Sequence, residues 1–219
     1  QEGGATGGGG EEAASQTAGF VDIVYGESLV NLGIWVLIGL VSLATLALII
    51  DAVISVRREK LMPEELETGV RESLDAGDLD AAVETCENNP GPLSNILMSG
   101  FSNVEEGYDV VQEAVSSSAE LENERVMQRV NYLNLSGQIA PMLGLLGTVV
   151  GMVRAFAGLA QASAAKATIL AQAISTALWT TATGLLIAVP ALLAYTLARN
   201  YATRLILEME ATVLDLIKV

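Results

Sequence analysis

Hydroxyls on one face of an uncharged helix are the residues of this chain best placed to do chemistry. Thr176, Thr180 and Thr183 recur at i, i+4 and i+7, with Ala177, Thr181 and Ala188 on an adjacent stripe, and Thr148 lies in a second uncharged stretch. A hydroxyl both donates and accepts, so such a face can solvate a neutral or an ionised carboxyl without a fixed charge of its own. The same oxygens could instead join two helices or bond back to the preceding turn, as threonines in membranes commonly do. Residue types alone leave both readings open.

The elements that carry these threonines are two runs without a carboxylate, APMLGLLGTVVGMVRAF at 140–156 and ISTALWTTATGLLIAVPA at 174–191. Hydrocarbon offers no hydrophobic drive between helices, so small residues that let backbones approach mark surfaces made for packing. Gly144, Gly147, Gly151, Ala177, Gly184 and Ala188 are the candidates for that close approach.

A membrane core about 30 Å thick needs about 20 apolar residues at 1.5 Å rise each. Three uncharged runs, 28–50, 130–153 and 167–198, approach or exceed that length. The third is long enough to tilt or to continue past the bilayer, and Pro190 is its expected kink site. The basic residues set the expected orientation, since carboxylates contribute little to that bias. Nine of the eleven Lys and Arg fall on one side: Arg57, Arg58 and Lys60 after the first run, Arg71, Arg125 and Arg129 before the second, and Arg199, Arg204 and Lys218 after the third. The N-terminus is therefore expected outside and residues 53–129 with the tail in the cytoplasm, with Arg154 and Lys166 flanking the outer connection.

The opening QEGGATGGGGEEAASQ cannot bury a core and reads as a mature terminus after signal cleavage, although a shortened chain would look the same. Cys86 stands alone and there is no His, so an internal disulfide, Cys/His metal sites and His-based catalysis are excluded. Cys86 reads as a small packing residue. No paired catalytic carboxylates, nucleophile with base or phosphate-cradling loop is evident, so the chain does not read as an enzyme and no cofactor is expected. Residues 53–129 hold seventeen acids against six bases, within a net charge of -15. That balance reads as a solvated helical face, with a cation-binding surface as the sharper reading, and it is a poor partner for nucleic acid.

Helices are expected throughout this segment. Pro63-Glu64-Glu65 suits a first turn, Asp78 after Gly77 offers a cap for a helix to about residue 87, and Asn88-Asn89-Pro90-Gly91-Pro92 is a strong turn signal. From about Asp109 to Gly137 neither Gly nor Pro interrupts the chain, so one helix is expected to run straight into the second span. The fold class is all-α: a polytopic membrane protein with three transmembrane helices, whose long helices extend into a cytoplasmic helical domain. The expected divisions are an extracytoplasmic segment 1–27, spans at 28–52, 134–162 and 167–198, a cytoplasmic helical domain at 53–133 and a C-terminal helix at 199–219.

The order of these parts, with the two glycine and threonine signatures on the second and third spans, resembles the MotA/TolQ/ExbB proton channel family and its ExbB/TolQ branch over residues 28–219. The resemblance implies a bacterial inner-membrane ring subunit, a pentamer in this branch, whose second and third spans line a pore. It implies an ExbD/TolR-like single-span partner that supplies a membrane aspartate, with proton flow driving work across the periplasm. Thr148 and Thr181 fall at the family's two pore-threonine positions.

One departure is specific. Where ExbB and TolQ proteins carry a glutamate in the third span, this chain has Ile174-Ser175-Thr176-Ala177-Leu178. A conducting complex then needs its titrating group from the partner, and a non-conducting scaffold becomes the rival reading. Thr180 beside Thr181 is similar to sodium-driven flagellar relatives, so Thr176 and Thr180 join the ion-pathway candidates and Na+ joins H+ as the translocated ion. Asp51 reads as an interfacial residue near Arg57 and Arg58 rather than a relay. Arg154 reads as a snorkelling side chain or as a barrier at a pore mouth.

Overall fold

The computed structural model describes residues 29–161 and 166–218, with the side chains of 29–31, 159–161, 166–169, 172 and 176 outside the description. The N-terminal segment 1–27 and the connection at 162–165 also lie outside the described residues. Among the described residues there are seven α-helices, one 3-10 turn and no strand: α1 (Leu29–Ser55), α2 (Arg58–Leu61), α3 (Glu64–Asp75), α4 (Leu79–Asn88), α5 (Pro92–Phe101), the 3-10 turn Val104–Glu106, α6 (Tyr108–Gln161) and α7 (Lys166–Ile217). Three stretches are long and apolar enough to cross a membrane, Leu32–Ser55 in α1, Tyr108–Gly158 in α6 and Ala173–Ile217 in α7. The protein is all-α with three candidate spans.

Local chemistry sets the ends of the short helices. α3 begins after Pro63 and carries Glu64, Glu65 and Glu67 in its first turn, where negative charge meets the positive end of the helix dipole. The chain leaves it after Asp75 through Gly77, whose φ of +73° a residue with a Cβ adopts only at a cost. There the Gly77 N–H donates to the Leu74 carbonyl at 2.9 Å and the Asp78 N–H to the Ser73 carbonyl at 3.0 Å, satisfying carbonyls that the helix leaves open. Asp78 then caps α4, its Oδ1 accepting from the Ala81 N–H at 3.0 Å. Pro92 starts α5, where its missing N–H is harmless. α6 passes through Pro141 and α7 through Pro190 without ending. The expected merger of a helix from Asp109 with the second span is therefore one 54-residue helix, begun at Tyr108.

The chain divides into two compact units, residues 1–45 with 136–190, and residues 46–135 with 191–219. In the second unit α3 packs on α4 and α4 on α5. Leu66, Val70, Leu93, Ile96 and Leu97 from the short helices bury together with Val111, Val115, Met209 and Val213 from α6 and α7. Cys86 lies in this core, and burial pushes its thiol up to about 11, because a thiolate there would lose its hydration. Among the described residues one charged side chain is buried: Glu122, 4 % exposed, accepts from Asn95 Nδ2 at 2.7 Å and pairs with Arg125.

Candidate functional site

In the first unit the threonines and glycines of α6 and α7 meet each other. The contacts run Ala140 with Gly184, Gly144 with Thr180 and Thr181, Gly147 with Thr180, and Gly151 with Ala177, so the numbers rise along one helix as they fall along the other. The pair is antiparallel, and its seam is built almost entirely of small residues.

The closeness is measured by the room that a side chain on each glycine would need. A Cβ on Gly144 would lie 2.9 Å from the Thr180 carbonyl oxygen and from the Thr181 Cα, and one on Gly151 would lie 2.8 Å from the Ala177 Cβ. A Cβ on Gly147 would strike the Thr180 side chain, and one on Gly184 the Ala140 carbonyl. At Gly144 and Gly184 backbone meets backbone, and at Gly147 and Gly151 backbone meets the short side chains of Thr180 and Ala177, approaches that small residues on both helices make possible. Ala177 and Ala188 are both buried.

Hydrogen bonds join the two helices at Gly144. The Thr180 hydroxyl, 2 % exposed, donates to the Ala177 carbonyl at 2.7 Å within α7 and lies 3.2 Å from the Gly144 carbonyl across the seam. The Thr181 hydroxyl, half-buried, donates to the same Gly144 carbonyl at 3.0 Å. Thr148 stands one turn along α6 from Gly144, about 6 Å of rise, on the same face. It is half-buried and donates to its own helix, to the Leu145 carbonyl at 2.7 Å. Thr183 bonds within α7, to the Trp179 carbonyl at 2.9 Å.

The structure thus brings Thr180 and Thr181 onto Gly144, whereas Thr148 and Thr183 use carbonyls of their own helices. The side chain of Thr176 lies outside the described residues, as does that of Lys166. Arg154 is half-buried on α6. Asp51 belongs to the second unit; it is exposed, accepts from Ser55 Oγ at 3.4 Å, and has no ion pair among the described residues. Arg58 pairs instead with Glu208 at 2.8 Å. One participant in the seam escaped sequence reasoning: Ala140 supplies the backbone against which Gly184 packs. Away from the seam, Thr45, 3 % exposed in α1, donates to the Val41 carbonyl of its own helix at 2.7 Å. The signal for Thr45 was its being the single threonine of an uncharged run.

Chemically the seam offers acceptors. Thr148 and Thr181 each direct their one proton to a backbone carbonyl, so the free lone pairs of both oxygens remain for a donor or a cation. No Asp or Glu occurs between Glu124 and Glu208. Among the described residues no group of His, Cys, Asp and Glu could hold a metal ion.

Residues 88–211 match the model of a family described as the MotA/TolQ/ExbB proton channel family. Relatives similar to the chain include biopolymer transport protein exbB1 of Vibrio cholerae, 43 % identical over 36 % of this chain and 36 % of that protein. The Tol-Pal system protein TolQ of Pseudomonas aeruginosa is 31 % identical over 54 % of this chain and 57 % of its own length. Biopolymer transport protein ExbB of Neisseria meningitidis serogroup A is 27 % identical over 85 % and 90 %. The matched region spans from about a third to a little over half of the first two relatives.

Proposed function

Because the chain belongs to the MotA/TolQ/ExbB proton channel family, we propose that it is the ring-forming subunit of an ion-motive-force-driven motor of the ExbB/TolQ kind. In this reading it forms a homo-pentamer in the bacterial inner membrane, N-terminus outside, around an ExbD/TolR-like single-span partner that supplies a membrane aspartate. Ion flow through the ring does work across the periplasm.

The observation that carries the reading is the division of labour on the seam. Glycines and Thr180 hold α6 against α7, while Thr148 and Thr181 keep half-buried oxygens oriented as acceptors. An acceptor pair solvates a protonated carboxyl, which donates, better than an ionised one, which only accepts. It would lower the cost of carrying a neutral aspartic acid through an apolar ring. With no carboxylate from residue 125 to residue 207, and with Asp51 read as an interfacial residue at the end of the first span, the partner's aspartate is the protonation site in this reading. The proton is favoured over sodium as the translocated ion by Thr180, whose hydroxyl is buried against carbonyls. Thr176 stands where the branch has glutamate, and this favours a second reading, a scaffold that keeps the packing seam and conducts nothing.

Ion flux into proteoliposomes holding both subunits, under separate proton and sodium gradients, decides between them. The expected result is proton flux that needs the partner, is abolished by changing the partner's aspartate to asparagine, and falls at least tenfold in Thr148→Val/Thr181→Val with the oligomer intact. Absence of partner-dependent flux under either gradient would establish the scaffold. Sodium-dependent flux would overturn the choice of ion, and full flux in the double valine variant would make both threonines packing residues.

A further inference from the structure

The second unit holds a cavity of about 500 Å³ that the motor reading does not use. Its floor is apolar, with Ala52 and Val56 at the end of the first span and Val130 on α6. Its rim is basic: Lys60, Arg125 and Arg129 all line it, with Glu122 as the one acid. Glu122 is held by Asn95 and pairs with Arg125, so it fixes that guanidinium in place. Lys60 and Arg129 are exposed and have no ion pair among the described residues, which leaves the cavity with an excess of positive charge in a chain of net charge -15.

Position adds to charge. Ala52 and Ser55 end an apolar stretch that can cross a membrane, and basic residues follow within five positions. Tyr132, 61 % exposed, stands at the same cavity, and tyrosine favours the level of lipid headgroups. An apolar floor below and unpaired cations above fit an amphiphile with one negative head. The rule that concentrates bases on the cytoplasmic side places this cavity in the leaflet whose lipids are anionic.

We propose that this cavity binds an anionic phospholipid, the phosphate-bearing head between Lys60, Arg125 and Arg129 and the upper acyl chain against Ala52, Val56 and Val130. The site is independent of conduction. Its consequence is an anchor at the bend between α1 and α2, which fixes the second unit to the membrane surface through lipid rather than through protein contacts alone.

The test is native mass spectrometry of the whole chain in mild detergent, titrated with phosphatidylglycerol or with phosphatidylcholine of the same acyl chains. Each basic side chain near an anionic headgroup is worth about a five-fold change in affinity. Phosphatidylglycerol should therefore bind at least ten-fold more tightly, and Arg129→Gln should cut that preference about five-fold, while Arg129→Lys keeps it. Arg129 is exposed and has no ion pair among the described residues, so the helical signal and its thermal midpoint should not move in either variant. Equal binding of the two lipids, or an unchanged preference in Arg129→Gln, would overturn the proposal. Displacement of phosphatidylglycerol by millimolar inorganic phosphate would overturn it in favour of a soluble-anion site. A change in oligomer mass without a change in lipid binding would overturn it in favour of a contact between copies.

Discussion

The two units of this molecule solve packing in opposite ways. In the second, large side chains go inside: Leu66, Leu93, Ile96, Leu97 and Met209 are all under 2 % exposed. In the first, the inside of the α6/α7 seam is glycine, alanine and threonine, and the large residues Leu145, Val149, Val153, Leu178, Leu186 and Val189 are exposed. Water supplies the reason for the first pattern, since burying a leucine side chain there stabilises by about 1.5–3 kcal/mol. Lipid removes that reason, because acyl chains are as apolar as leucine, and only closeness and hydrogen bonds remain to hold helices together. Size is thus favourable inside one unit and unfavourable inside the other.

The sharpest test of that contrast is a pair of changes in opposite directions. Leu97→Ala should destabilise the second unit by about 2–5 kcal/mol, the lost transfer energy plus the cavity left behind. Thermal or denaturant unfolding in mild detergent, followed by circular dichroism, would measure it. Gly147→Leu should be destabilising by about 1–3 kcal/mol or more through overpacking, since even a Cβ there meets the Thr180 side chain. Its signature should be separation of α6 from α7, read as faster cleavage by a protease in detergent or as loss of a crosslink between the helices. If a leucine at 147 is tolerated, the seam is not close-packed and the contrast fails.

Much of this was legible in the sequence, and particular residues show why the remainder was not. Uncharged length announced the spans, and Gly77 followed by Asp78 announced the break and cap between α3 and α4, because those signals are local. Spacing also placed Gly144, Gly147 and Gly151 near one face. It could not say which neighbour fills the space beside them, and the answer is the chain's own α7. Thr180 and Thr181 differ by one position, about 100° of helix rotation, and only tertiary packing decides that the first is sealed while the second is half-buried. The gathering of Lys60 with Arg125 and Arg129 was invisible, because residues more than sixty positions apart share no periodic signal.

A smaller effect sharpens the account of the second unit. Cys86 sits in the core with its thiol pushed up to about 11 from an ordinary 9.0. The unfolded chain loses its thiol proton first, so the folded state binds more protons between those values, and stability falls as pH rises through that window. The Cys86 contribution should be complete below pH 9, reduced by about 1 kcal/mol at pH 10, and lost progressively toward pH 11. Comparing the parent with Cys86→Ala at pH 8 and pH 10 isolates it from other alkaline changes. The gap between them should narrow, and a constant gap would mean that the thiol is less enclosed than its 1 % exposure implies.

The least effect is expected where a water-based intuition predicts a large one. Leu186 is 76 % exposed in α7, and truncating an exposed leucine in the membrane exchanges contact with acyl chains for slightly more acyl chain. Leu186→Ala should therefore change the stability of the single chain by less than about 0.5 kcal/mol, against the several kcal/mol expected at Leu97. The measurement needs two readouts, unfolding of the chain and mass of the oligomer. An unchanged chain with an unchanged oligomer means that Leu186 faces lipid. An unchanged chain with a weakened oligomer means that a second copy covers it, and the outer face of α7 then belongs to the ring. A chain destabilised as much as Leu97→Ala would break the contrast between the units, since it would show large side chains holding the membrane pair together after all.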